Sequence, residues 1–134
     1  DAGYKPEDLV VFNYTAMGVD LLEDGLYAME DKLKDPAFEE KMVKFVRASM
    51  KGWKYAEANA DEAAMIVLEN DQTGAQTEVH QKRMMGEVGK LIGSGSGKLI
   101  EAAYQRTADA LLAQKIITKA PEGAWTSAIT DAVK

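Results

Sequence analysis

Apolar and polar positions alternate at helical spacing most clearly between Pro36 and Asn59. Phe38, Met42, Phe45, Val46, Trp53 and Ala56, with Ser49 in register, fall along one face, and Val43 and Met50 widen the stripe. Glu40, Lys44, Arg47, Lys51 and Lys54 run down the opposite face, so the pattern predicts a helix with one buried and one wet side. Pro36 suits the first turn, where its missing N–H would have had no partner, and Asp35 before it suits the N-cap. A second helix is expected over 59–70, with Asn59 as N-cap and Glu62 completing a capping-box-like pattern. A third is expected over 77–92, with Met84, Met85, Val88, Leu91 and Ile92 on one side, weakened by Gly86 and Gly89. Lys98 to Gln114 predicts a fourth, with Ile100, Ala103, Tyr104, Thr107, Leu111 and Leu112 inward. Pro121 and Glu122 open a fifth, with Trp125, Ala128, Ile129, Ala132 and Val133 as its inner positions.

The first thirty residues follow a different pattern. Leu9-Val10-Val11-Phe12 is a short β-branched and aromatic run, read as a buried strand. Gly25 to Met29 is a second strand candidate, and Val19 to Asp24 fits either a turn or a short helix. The spacer between the two runs is too long for a tight hairpin, so they need not pair with each other. The fold class expected is therefore α+β and mostly helical, with about five helices and one or two strands. Residues 1–31 form a strand and crossing segment, and residues 32–134 form the helical part.

The 134 residues suffice for one modest core. A net charge of −6, with Lys and Arg interspersed among acids, argues against nucleic-acid binding, which needs a basic face to neutralise phosphates. Cysteine is absent, which excludes a disulfide frame, a thiolate metal site and a thiol nucleophile. The single histidine, His80, excludes a histidine-rich metal site within the chain. No apolar run approaches the length of a membrane span. The first residues do not read as a signal peptide, and the absence of an initiator Met leads to the expectation that the chain is processed or cut from something longer.

Candidate chemistry is thin. Gly93-Ser-Gly-Ser-Gly97-Lys98 superficially suggests a phosphate loop, but Ile92 stands where its first Gly belongs and Leu99 replaces the magnesium-binding hydroxyl. It reads as a flexible connector. His80 falls in the first turn of a helix without a ligand-spaced partner, and the acid pairs lie in helix starts, where carboxylates favour the macrodipole. No Ser sits in a nucleophile-elbow context. No autonomous enzyme, no metal and no cofactor is expected.

Four stretches carry a resemblance. They are Lys34-Asp35-Pro36, Val43 to Ala56 (VKFVRASMKGWKYA), Asn59-Ala60-Asp61-Glu62-Ala63, and Tyr104 to Leu112 (YQRTADALL). Together with Met17-Gly18-Val19-Asp20 and Gly25 to Asp31, they resemble the periplasmic solute-binding proteins of ABC importers that take up thiamine pyrimidine precursors, nitrate or sulfonates. The resemblance implies the C-terminal portion of a two-lobed, type II periplasmic-binding-protein-like fold, whose lobes close on solute by hinge motion. It implies a periplasmic or extracellular, membrane-associated location, a small-molecule solute as ligand and an ABC permease in the membrane as partner. It also implies self-association, since apolar faces and strand edges would lack their neighbours.

In such a fold solutes bind at strand ends and at segments crossing between lobes. The candidate ligand-binding residues are accordingly Asn13, Tyr14 and Asp20. Asn13 could hydrogen-bond a heterocycle or an oxyanion, and Tyr14 could stack on a ring. Turn chemistry for Asn13 and packing for Tyr14 explain the same residues equally well. A helical protein–protein interaction module is the alternative function, and an enzyme built on this fold a third.

Overall fold

The computed structural model describes residues 3–92 and 95–134. Among them it contains six α-helices: α1 (Glu30–Leu33), α2 (Pro36–Ala58), α3 (Ala60–Asn70), α4 (Glu78–Ile92), α5 (Glu101–Ala113) and α6 (Ala128–Ala132). A single 3-10 turn, Pro6–Asp8, precedes them.

α2 is the axis of the molecule. Asp35 accepts the Ala37 N–H at 3.0 Å, which satisfies one of the donors left open at a helix start, and Pro36 occupies the first turn. Its 23 residues make a rod of about 34 Å at 1.5 Å per residue. α1, α3, α4 and α6 all pack against it. Val46, in the middle of the apolar stripe, is buried. Lys44 and Glu40 pair across one turn of the wet face at 2.6 Å, and Lys44 holds the Glu40 carboxyl below its usual range.

A single residue, Asn59, joins α2 to α3. Its N–H and its side-chain amide both donate to the Tyr55 carbonyl, at 2.9 and 3.0 Å, and its own carbonyl accepts from Ala63. The side chain therefore closes the end of α2 and makes no N-cap bond to α3. The expected reciprocal box with Glu62 is not formed for the same reason: Glu62 instead hydrogen-bonds the Tyr55 hydroxyl, which raises the phenol above its ordinary value.

α3 and α4 form an antiparallel hairpin and, among the described residues, the most extensively packed helix pair. Asp71 organises the turn between them. It accepts from the Thr73 hydroxyl at 2.6 Å, the Thr73 N–H at 2.8 Å and the Gln76 N–H at 3.1 Å. Those donors, the Thr73 hydroxyl first, hold its carboxyl below the ordinary value. Thr77 then accepts the His80 N–H at 3.2 Å and starts α4, so His80 does lie in the first turn.

α5 stands apart from the other helices. Its end is a Schellman closure: Ile116 N–H reaches Leu111 O at 2.9 Å and Lys115 N–H reaches Leu112 O at 3.0 Å. Lys115 takes the left-handed conformation (φ 56°) that this closure demands, where glycine is the usual occupant. Ser127 and Lys98 both bind Asp131, at 2.7 and 2.5 Å, and so tie α6 to the segment ahead of α5.

The structure corrects the expected fold class. The described residues contain no strand and no sheet, so neither the α+β reading nor the two-lobed type II architecture holds. Leu9–Phe12 and Gly25–Met29 have no regular structure and join no ladder. An apolar β-branched run becomes a strand only when another backbone satisfies its N–H and C=O groups, and none lies alongside here. The C-terminal helix also differs from expectation. It covers only Ala128–Ala132, because Gly123 adopts a left-handed φ of 60° two residues after Pro121 and stops any helix there. Of the connector at 93–97, Gly93 and Ser94 lie outside the described residues.

The core is small. Among the described residues Val46, Ala63, Ala64, Ala103 and Ala108 are its buried apolar members, and no large side chain is fully enclosed. The accessible surface is 11039 Å². A folded monomer of this mass exposes about 6,900 Å² by the usual scaling. About 4,100 Å² more surface is therefore open than a self-sufficient globule of this size leaves.

Candidate functional site

The arm, Gly3 to Met29, carries the three residues singled out in the sequence. Asn13 opens a single helical turn, its side-chain oxygen accepting the Ala16 N–H at 2.8 Å. Val19 N–H closes on Tyr14 O at 2.8 Å and Gly18 N–H on Thr15 O at 3.1 Å, with Gly18 at φ 80°. A side chain at Gly18 would be strained in that conformation. Asn13 thus does turn chemistry, and its amide NH₂ keeps two donors. Tyr14, on the same turn, is largely exposed. Asp20 lies beyond the turn and pairs with Arg106 of α5 at 2.9 Å.

Two residues later Leu22 N–H donates to Thr107 Oγ1 at 2.9 Å, and that hydroxyl donates in turn to Ala103 O at 2.9 Å. Arg106 and Thr107, one turn apart from Ala103, are therefore the anchor of the arm. Asn13 and Tyr14 share one turn, and Asp20 is held separately on α5. Nothing local in the sequence marks the anchor, since the pairing spans more than eighty residues.

An open concave surface lies on α2, α3 and α4. It is an open groove of about 420 Å³ whose lining includes Ser49, Trp53, Ala56, Ile66, Val67 and Met85. The lining is mostly apolar, and Trp53, Tyr55, Ile66 and Val67 remain partly open to solvent. Ser49 donates back to Phe45 O at 3.0 Å, so its hydroxyl is satisfied within α2. The sequence placed Trp53, Ser49 and Ala56 on the buried face of α2. They do line the side turned to α3 and α4, but the neighbours do not close over them.

Other chemistry is sparse. Tyr104 and Trp125 pack with ring centroids 6.3 Å apart and planes tilted by 53°, joining α5 to the segment ahead of α6. Arg47 Nε is buried without a hydrogen-bond partner. Among the described residues no group of three or more His, Asp or Glu side chains could hold a metal ion, and no helix is long and apolar enough to cross a membrane.

No protein-family model matches the chain, and no curated protein or solved structure matches it either.

Proposed function

We propose that the chain belongs to the substrate-binding component of an ABC-type importer. In this reading it is a non-catalytic binder of a small nitrogen- or sulfur-containing solute, such as a thiamine pyrimidine precursor, a sulfonate or nitrate. It works in the periplasm or outside the cell and passes the solute to a permease in the membrane. The observation that carries the reading is the unit made by Asp35, α2, Asn59 and the start of α3. The stretches that resemble the solute-binding family, Lys34–Pro36, Val43–Ala56 and Asn59–Ala63, fall on this one continuous element. Asp35 caps it and Asn59 joins its two helices.

The solute contacts in this reading come from the turn of the arm. Tyr14 offers an exposed ring for stacking, Asn13 offers its amide donors, and Asp20, held by Arg106, sets the position of the segment that follows. A thermal-shift screen of the natural gene product with thiamine precursors, taurine, other sulfonates and nitrate tests it. One solute class raises the melting temperature, because a ligand at a hundred times its dissociation constant stabilises the native state by about 2.7 kcal/mol. Tyr14→Ala then weakens that solute by about 0.5–1.5 kcal/mol in calorimetry, the worth of one aromatic contact. No shift with any of these solutes removes the reading.

A helical protein-interaction module is the second reading, favoured by the exposed apolar residues of the arm. It gains if the solute screen is flat.

A further inference from the structure

Among the described residues α5 packs against no other helix, yet Ala103 and Ala108 on it are buried. Segments without regular structure therefore supply its cover. Its N-cap residue, Ile100, makes no side-chain bond to the helix start. At 13 residues α5 falls in the length range, about 12–15, where a helix on its own is marginal in water. Two neighbours give it what it lacks. Trp125 packs its ring on Tyr104. The arm lies along the turn from Ala103 to Thr107: Asp20 takes the Arg106 guanidinium, and the Leu22 N–H donates to Thr107 Oγ1, which itself donates to Ala103 O. Ala103 and Thr107 share a helix face, so the arm crosses the face on which Ala103 is buried.

We propose that residues 20–22 of the arm are a releasable strap on α5: closed, they hold α5 helical, and open, they let α5 fray while α2, α3 and α4 stay folded. The fastening is of a kind that opens. The Asp20 and Arg106 side chains are each just over half exposed, where an ion pair contributes little and salt screens it. The distal arm adds no hold, since Leu9, Val10, Val11 and Phe12 are all more than half exposed. The rest of the chain does not need the strap: α2, α3 and α4 pack on one another, and Asp35, Asn59 and Asp71 close their ends locally. The arm and α5 are thus one opening unit and the α2–α4 block another, and ionic strength sets the balance of the first. This inference does not rest on the importer reading, because it needs no solute.

Hydrogen exchange of the full chain, followed by mass spectrometry, tests the strap, with α3 and α4 as the internal reference. Sodium chloride is raised from about 0.01 M to about 1 M, which shortens the screening length from about 30 Å to about 3 Å. In low salt α5 and the peptide holding Leu22 exchange more slowly than an unstructured chain. High salt speeds both by about two- to fivefold, the worth of one exposed ion pair, and leaves α3 and α4 as they were. Asp20→Ala, which lies outside every helix, has the same effect in low salt and removes the salt response. Asp20→Lys and Arg106→Glu each release the strap, and the two together restore slow exchange. Protection of α5 that Asp20→Ala leaves unchanged overturns the proposal, as does a double variant without rescue. Equal loss in α3 and α4 also overturns it, since the arm would then hold the whole chain. Fast exchange at Leu22 under every condition means the strap never closes, and overturns it too.

Discussion

Val10 and Val11 in the arm are 82% and 81% exposed, while Val46 in α2 is 7% exposed. The three side chains are chemically identical. Val46 lies on a helix that has already satisfied its own backbone, so its neighbours α3, α4 and α6 need only supply apolar surface. Val10 and Val11 lie on backbone that needs both hydrogen-bond partners and apolar surface from elsewhere in space. The helical block meets its first requirement locally, and the arm cannot. The same contrast shows in how the two are fastened: Asp35, Asn59, Asp71 and Thr77 close helix ends within a few residues, whereas the arm is held by the long-range pairs Asp20–Arg106 and Leu22–Thr107.

The largest effect expected from this contrast lies at Ala64, which is wholly enclosed in the helical block. Ala64→Leu forces extra methyl groups into a filled site and costs about 1–3 kcal/mol in urea unfolding. A neutral result there breaks the view that α3 packs tightly. The same measurement on Val10→Ser with Val11→Ser, in dilute protein, shifts stability by no more than about 0.5 kcal/mol, since exposed positions away from special features rarely matter more. A loss near that of Ala64→Leu would place the arm inside the folded unit.

The smallest effect is one of pH. Asp71 has a lowered carboxyl pKa in the folded chain, so the folded state favours its charged form. Its contribution is complete above the unfolded carboxyl value and is lost as pH falls through the lower folded value. Amide exchange at Thr73 and Gln76, compared with that of α2, should therefore quicken only under acid conditions, below the ordinary aspartate range. An onset near neutral pH would contradict the hydrogen bonds that hold this turn.

Much of the helical part could be read locally. The Asp35–Pro36 start of α2, its run to Ala58, the break at Asn59 and the first-turn place of His80 all follow from residues within a turn or two of each other. The misread parts each depended on something distant. The capping box at Asn59 lost to the competing Tyr55 carbonyl and hydroxyl. The helix expected from Pro121 was stopped by Gly123. Of the candidate site, the cap role of Asn13 could be read from its turn, but the hold of Arg106 on Asp20 could not.

The sequence alone determined where α2 begins and ends and the course of α3, α4 and most of α5. Caps, prolines and periodicity act through bonds to residues three or four positions away. The tertiary structure alone decided which apolar segments are buried. It left Leu9–Phe12 and Gly25–Met29 without partners, joined Asp20 to Arg106 and Leu22 to Thr107, and left the α2–α4 groove open. Burial and strand pairing depend on what stands alongside in space, and the order of residues along the chain does not supply that.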